Sequence, residues 1–175
     1  TARAADVNAA DFAEQLKGFD AVVSAFNAGW DNPNLAADFT RGANSITEAA
    51  KAAAVPYLLI VGGAGSLNVA PNLQLVDTPE FPKEVYPGAN AARELLNGLR
   101  ERRDVNWAFL SPAAMFAVNP VRFERSGKYR TGQDDVLLDA NGAPADISVA
   151  DLACAIADNV ENKAHLFERF TVAAV

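Results

Sequence analysis

Residues 57–67 read Tyr-Leu-Leu-Ile-Val-Gly-Gly-Ala-Gly-Ser-Leu, an unbroken apolar run that stops at a cluster of glycines and a serine. Apolar residues without alternation are expected where both faces of a strand are covered, as in a parallel sheet between helices. Glycines at the end of such a strand let a ligand approach the backbone closely. A chain carrying this run has to fold around a buried strand that ends at a crevice.

The rest of the pattern supplies neighbours for that strand. Short apolar runs recur at Asp20–Phe26, Trp107–Leu110 and Arg169–Ala173. Between them, Leu35, Phe39, Ile46, Ala49, Ala50 and Ala53 fall at helical spacing and predict a helix over 34–54. A second helix is predicted at Ala91–Arg102, a third at 149–160, where Ser148 and Asp151 form a capping-box-like start, and a short one at 9–17 between Asn8 and Gly18. Asn68–Pro82 reads as loop, and the polar stretch from Val118 to Gly142 carries one short strand at Val136–Leu138 and a turn at Asn141-Gly142.

Strands alternating with helices of this length predict right-handed βαβ units and an α/β, Rossmann-like, doubly wound parallel sheet. With 175 residues, half of them apolar, the expectation is one domain over 1–175 with a substrate-side irregular segment at about 113–147.

Charge narrows the partners. Fifteen Lys and Arg against 22 Asp and Glu give a net charge of −7, which disfavours nucleic acid and anionic membrane surfaces. The cluster Arg100, Arg102 and Arg103 ends a predicted helix and suits its dipole. No apolar stretch reaches the ~20 residues of a membrane span. A cytoplasmic protein acting on a small-molecule substrate is therefore expected, as a monomer or a homodimer. Cys154, the single cysteine, reads as an inert core thiol, and His165 has no ligand neighbours at metal spacing, so no metal site is expected.

In an open α/β sheet, ligands bind outside the carboxyl ends of the strands. Three such ends are small or polar here: Ser24–Gly29, Gly62–Ser66 and Ser111–Ala113. Gly63-Ala-Gly65-Ser-Leu-Asn68 nearly matches the dinucleotide fingerprint, yet that motif needs a helix directly after its glycines to present amides to pyrophosphate, and Asn68-Val-Ala-Pro71 continues as loop. The glycines are better read as a wall near the reactive end of a cofactor.

Tyr86 invites comparison with a catalytic tyrosine activated by a lysine four residues later, but position 90 is asparagine. A phenol without a neighbouring cation donates protons poorly at neutral pH. Lys83 precedes it by three residues, with Pro82 and Pro87 making helical spacing there doubtful. Ser66 and Ser111 are candidates for hydrogen bonding to a substrate carbonyl or a nicotinamide amide. A serine hydrolase is disfavoured because Gly-x-Ser-x-Gly is absent and His165 lacks support as a base.

The ordered set Ala5-Asp6-Val7, Asp20-Ala-Val-Val-Ser-Ala, Leu58–Leu67, Leu75-Val-Asp-Thr-Pro79, Trp107–Phe116, Gly127-Lys-Tyr-Arg130 and Arg169-Phe-Thr-Val172 resembles atypical short-chain dehydrogenase/reductases of the NmrA-like group, which include NADH-flavin reductases. The resemblance implies an NAD(P)H cofactor, with Asp6 and Val7 by the adenine, Ser24, Ala25 and Phe26 along the ribose and phosphates, and Gly62 and Gly63 near the nicotinamide. Pro112 and Ala113 would border the cofactor and substrate. Ser66, Tyr86, Ser111 and Phe116 would face the substrate. The implied reaction is hydride transfer to a flavin or other flat acceptor, and the rival role is a non-catalytic NAD(P)-binding redox sensor.

Family members open with a strand, a glycine-rich pyrophosphate turn and a second strand that selects NADH or NADPH. Thr1–Asp6 resembles the end of the third strand, so roughly 50 residues, two βα units, are expected ahead of it. Without them, these 175 residues are expected to bind dinucleotide poorly.

Overall fold

The computed structural model describes residues 1–118 and 120–175. In chain order the elements are α1 (Phe12–Leu16), β1 (Val22–Ser24), α2 (Leu35–Ala52), β2 (Leu58–Val61), β3 (Asn68–Ala70), β4 (Leu73–Gln74), α3 (Tyr86–Arg100), β5 (Trp107–Ser111), β6 (Tyr129–Gly132), α4 (Val149–Asn162) and β7 (Arg169–Ala174). A five-stranded sheet has the order β1-β2-β5-β7-β6, and β3 and β4 form a separate two-stranded sheet. The pairs β1/β2, β2/β5 and β5/β7 are parallel, while β6 runs antiparallel to β7.

Both faces of the central strands are covered, as the unalternating run requires. Leu58 and Ile60 of β2 join Trp107 and Phe109 of β5 beneath Ile46 and Ala50 of α2 and Leu96 and Leu99 of α3. The alternate residues Leu59, Ala108, Leu110, Phe170 and Val172 pack on the other face against Leu152 and Ala155 of α4. Trp107, Phe109, Phe170 and Leu110 are each fully buried, and each such side chain contributes about 1.5–3 kcal/mol relative to exposure.

The strands advance in one direction across the sheet while the last helix changes face. The β5-to-β7 crossover therefore has the opposite hand to the first two, against the expectation of uniformly right-handed units. The chain makes that crossing through the long segment that also contributes β6, so it is not the short direct connection to which the handedness rule applies most strongly.

Local signals explain most boundaries. The Ser148 hydroxyl accepts a hydrogen bond from the Asp151 amide at 3.1 Å and starts α4, as its spacing predicted. The helix stops at Lys163, which adopts φ +46. α3 begins five residues before its predicted start, because Pro87 sits in the first turn, where a missing N–H costs nothing. Tyr86 and Asn90 therefore do share a helical face.

Other expectations change. The short strand predicted at Val136–Leu138 lies instead at β6, seven residues earlier at its start, and Leu138 keeps only an isolated bridge to Pro144. Asn68–Pro82 is not all loop: it holds β3, β4 and a 3₁₀ turn at Leu75–Asp77. Cys154 is half-buried and free rather than fully enclosed. Among the described residues, no helix is long and apolar enough to cross a membrane, and no group of three His, Cys, Asp or Glu side chains is placed to hold a metal ion.

Candidate functional site

Register brings the three small or polar strand ends to one edge. Ser24 pairs opposite Ile60, and Val61 opposite Leu110, so Ser24–Phe26, Gly62–Ser66 and Ser111–Ala113 leave the carboxyl ends of adjacent parallel strands. The Gly62 amide continues the ladder by donating to the Leu110 carbonyl at 2.8 Å. Beyond it, Ala64–Ser66 forms a single 3₁₀ turn that leads directly into β3. No α-helix follows the glycines, so they present no helix N-terminus to a pyrophosphate.

The neighbouring glycines serve different physical ends. A Cβ on Gly62 would lie 2.0 Å from Cζ of Phe109, whose ring is 0% exposed, so the core itself excludes a side chain there. A Cβ on Gly65 would meet Ala89 of α3 at 3.1 Å and Val76 at 3.3 Å, which wedges the turn between those elements. Gly63 differs from both. Its backbone is extended, with φ −120 and ψ 163, and the nearest atom to an added Cβ is the Gly65 nitrogen, 4.0 Å away. Neither conformation nor protein packing demands glycine there, and the space in front of it is open.

The expected site residues divide sharply by exposure. Ala25 and Tyr86 are exposed, and Ser24, Gly62 and Gly63 are half-buried at the edge. Asp6 is exposed and its carboxylate accepts from the Asn8 amide at 2.9 Å, while Val7 packs against the α2/α3 side of the core. Phe26 turns away from the edge: its ring fills the place of a side chain on Gly42 and lies 6.2 Å from the Phe39 ring. Ser66, Ser111, Pro112 and Ala113 are buried, and Phe116 packs against the α4 side of the core.

The serines are enclosed because Arg169 lies beneath them. Its Nη1 donates to the Ser66 hydroxyl at 3.3 Å and to the Ser111 hydroxyl at 3.4 Å, while Nε donates to Asp134 at 2.9 Å. The structure thus replaces the expected substrate-facing serines with a pair held on a buried guanidinium. Burial lowers the pKa of Arg169, and the hydrogen bond and charge of Asp134 offset part of that. Sequence reading passed over this residue, although an arginine opening an apolar strand signals a buried cation in need of a partner.

Around Tyr86, Asn90 offers an amide in place of a cation, and the oxygen of that amide is engaged. Its side-chain oxygen accepts from Nε and Nη2 of Arg93, at 3.1 and 2.6 Å, and Nη1 of Arg93 donates to Asp77 at 2.7 Å. Lys83 is exposed. The terminal arginines of α3 are likewise engaged: Arg100 pairs with Asp134, Arg102 with Glu48 and Asp104, and Arg103 lies over Phe167 at 5.2 Å.

The groups with displaced pKa values belong to the frame. Burial pushes Tyr57, which donates to the Ala164 carbonyl at 2.6 Å, up to about 12. Burial and the Asp158 carboxylate raise Tyr129 to about 12. Hydrogen bonds from the Arg102 and Lys51 side chains hold Asp104 well below the usual carboxylate range. The Ser126 hydroxyl and the amides of Ser126 and Gly127 lower Asp151.

A family model described as NAD(P)H-binding matches residues 1–163 of this chain. The chain belongs to that NAD(P)H-binding family. It is 45% identical over 162 residues to the Bacillus subtilis protein YwnB, covering 91% of this chain and 73% of YwnB. A Bacteroides thetaiotaomicron structure described as a candidate epimerase superposes with a TM-score of 0.85 at 40% identity, over 98% of this chain and 75% of that one. A Streptococcus pneumoniae structure described as a candidate NADH-flavin reductase superposes with a TM-score of 0.80 at 32% identity, over 93% and 75%.

The edge leaves room for a flat ring to lie against the backbone. Gly63 provides the one extended, open glycine at the end of a central strand, where a flat ring can approach the backbone. Ser24, paired opposite Ile60, and Ala25 leave the end of the neighbouring strand β1 at the same edge.

Proposed function

We propose that this protein is an NAD(P)H-dependent oxidoreductase of the atypical short-chain dehydrogenase/reductase type, transferring hydride to a flavin or another flat acceptor. The observation that carries the reading is Gly63: an extended glycine just beyond the carboxyl end of β2, whose side-chain position meets no atom closer than 4.0 Å. The similarity to the S. pneumoniae protein described as a candidate NADH-flavin reductase supports the choice of acceptor.

The bound nicotinamide would supply the hydride. The chain's own part is placement: the glycine edge lets the ring and acceptor stack closely, and the buried frame beneath keeps that edge rigid. Hydride transfer between stacked rings depends on positioning more than on a protonating side chain. That agrees with an edge where Asn90, not a cation, stands four residues after Tyr86 and both serines are turned inward.

The same observations suit a redox sensor that binds NAD(P)H without turnover. NAD(P)H oxidation followed at 340 nm with added FMN, FAD or riboflavin separates the two. Turnover that saturates with flavin is the expected result. Tight cofactor binding with no turnover would assign the sensor, and absence of dinucleotide binding by the full-length protein would refute both.

A further inference from the structure

Arg169 opens β7 with a side chain that is 2% exposed, inside a strand otherwise composed of Phe, Thr, Val and Ala. A buried guanidinium is costly unless its donors are met, and here they are met by three separate segments. Nη1 reaches the Ser66 and Ser111 hydroxyls, Nη2 reaches the Ser66 carbonyl at 3.4 Å, and Nε and Nη2 reach Asp134. Asp134 is fixed in turn, since its carbonyl accepts from the Asn68 amide at 2.8 Å and its carboxylate from Arg100 at 2.9 Å.

This hub grips the turn that carries Gly63. Ser66 ends the 3₁₀ turn that starts one residue after Gly63, and both its hydroxyl and its carbonyl are held by Arg169. Gly65 is wedged against Ala89 and Val76, so the turn is gripped from the side as well as from below. Ser111 fixes the neighbouring strand end to the same cation. The planar fork of arginine can span all these acceptors, whereas a lysine ammonium can reach only some.

We propose that Arg169 is a positioning residue for cofactor: it sets the height and tilt of the Gly62–Ser66 wall, and through it the fit of the nicotinamide ring. It touches neither cofactor nor acceptor. The inference rests on the reading of Gly63 as the nicotinamide wall.

The test compares NAD(P)H with ADP-ribose, or its 2′-phosphate, by calorimetry on the full-length protein. The second ligand keeps the adenosine and pyrophosphate but lacks the nicotinamide. Arg169→Met is expected to weaken NAD(P)H on the order of tenfold to a hundredfold, comparable to a methylene-sized misfit in a pocket, while leaving ADP-ribose affinity essentially unchanged. Arg169→Lys should recover part of the loss.

Equal weakening of both ligands would mean a merely structural role and overturn the proposal, as would no change in either. Should Arg169→Met fail to fold, the double variant Ser66→Ala/Ser111→Ala keeps the Arg169–Asp134 pair and removes both hydroxyl contacts to the edge, leaving only the backbone contact to the Ser66 carbonyl. It must show the same selective loss, and an unselective loss or none overturns the proposal equally. A wild-type protein that binds both ligands alike would overturn the nicotinamide wall, and with it the proposed function. A selective wild type with unselective variants would overturn only the role of Arg169.

Discussion

Exchanging Gly62 and Gly63 separately for alanine should give opposite results, although the residues are adjacent and chemically identical. In Gly62→Ala the new methyl would sit 2.0, 2.3 and 2.9 Å from three atoms of the Phe109 ring. Carbon atoms pack at about 3.5–4.0 Å, so the ring must shift by roughly 1.5 Å. Phe109 has no solvent to move into, being 0% exposed between β2, β7 and the α2/α3 layer.

Overpacking of this kind costs about 1–3 kcal/mol. Loss of glycine freedom in the unfolded chain returns about 0.4–1 kcal/mol. The net for Gly62→Ala is a loss of about 1–2 kcal/mol, or roughly 2–8 °C in Tm for a chain of this size. Gly63→Ala meets only the Gly65 nitrogen, at an unstrained 4.0 Å, and keeps an extended backbone open to any residue. It should gain about 0.4–1 kcal/mol and raise Tm by about 1–4 °C. Its methyl would instead occupy the space facing the cofactor, weakening NAD(P)H binding about tenfold or more.

Urea and thermal unfolding read the first effect, and calorimetric titration with NAD(P)H the second. A Gly62→Ala protein as stable as wild type would refute the packing argument. A Gly63→Ala protein that binds NAD(P)H normally would refute the cofactor wall.

Three further outcomes follow from the frame. The Asp151 carboxyl titrates below its unfolded value of about 3.9, so the stability it contributes is present above that pH and lost as pH falls through the folded pKa; Asp151→Asn should flatten the acid limb of a Tm-against-pH profile, and an unchanged limb would contradict its role in holding Ser126 and Gly127. Tyr57 has the opposite sign: raised to about 12, it stabilises fully below about pH 10 and loses that contribution as pH climbs toward 12, so Tyr57→Phe should remove this alkaline loss while costing about 0.5–1.5 kcal/mol at neutral pH. Of the two tryptophans, Trp30 is 63% exposed and Trp107 fully buried, so acrylamide should quench one component of the emission and Trp30→Phe should abolish it; quenching that survives would place Trp107 within reach of solvent.

Much of the fold was legible because it rests on local patterns. The apolar run at β2 is unalternating because both its faces are covered, and Ser148 announces α4 because its hydroxyl caps a nearby amide. The position of β6 was not legible. Tyr129–Gly132 has no strong pattern of its own and becomes a strand only by pairing with β7, as cross-strand partners decide such segments. The start of α3 was obscured by Pro87, which reads as a breaker until its place in the first turn is known.

At the site, the location was legible and the roles were not. Three strand ends with small residues pointed to one sheet edge, and register brings them together. Which side chains face that edge depends on contacts distant in sequence: Phe26 folds onto Gly42, and Ser66 and Ser111 turn to an arginine more than fifty positions away from either. No local spacing encodes those meetings.

By itself, the sequence of residues 57–67 determined that a buried strand ends at a glycine-rich edge, since burial on both faces and backbone freedom follow from residue type alone. The tertiary structure decided what each glycine is for. Gly62 is small because a phenyl ring from the next strand occupies its side-chain space, Gly65 because α3 presses on it, and Gly63 for neither reason. Steric exclusion depends on which atoms arrive from elsewhere in the chain, so only the folded arrangement separates the glycine that serves the core from the one that faces open space.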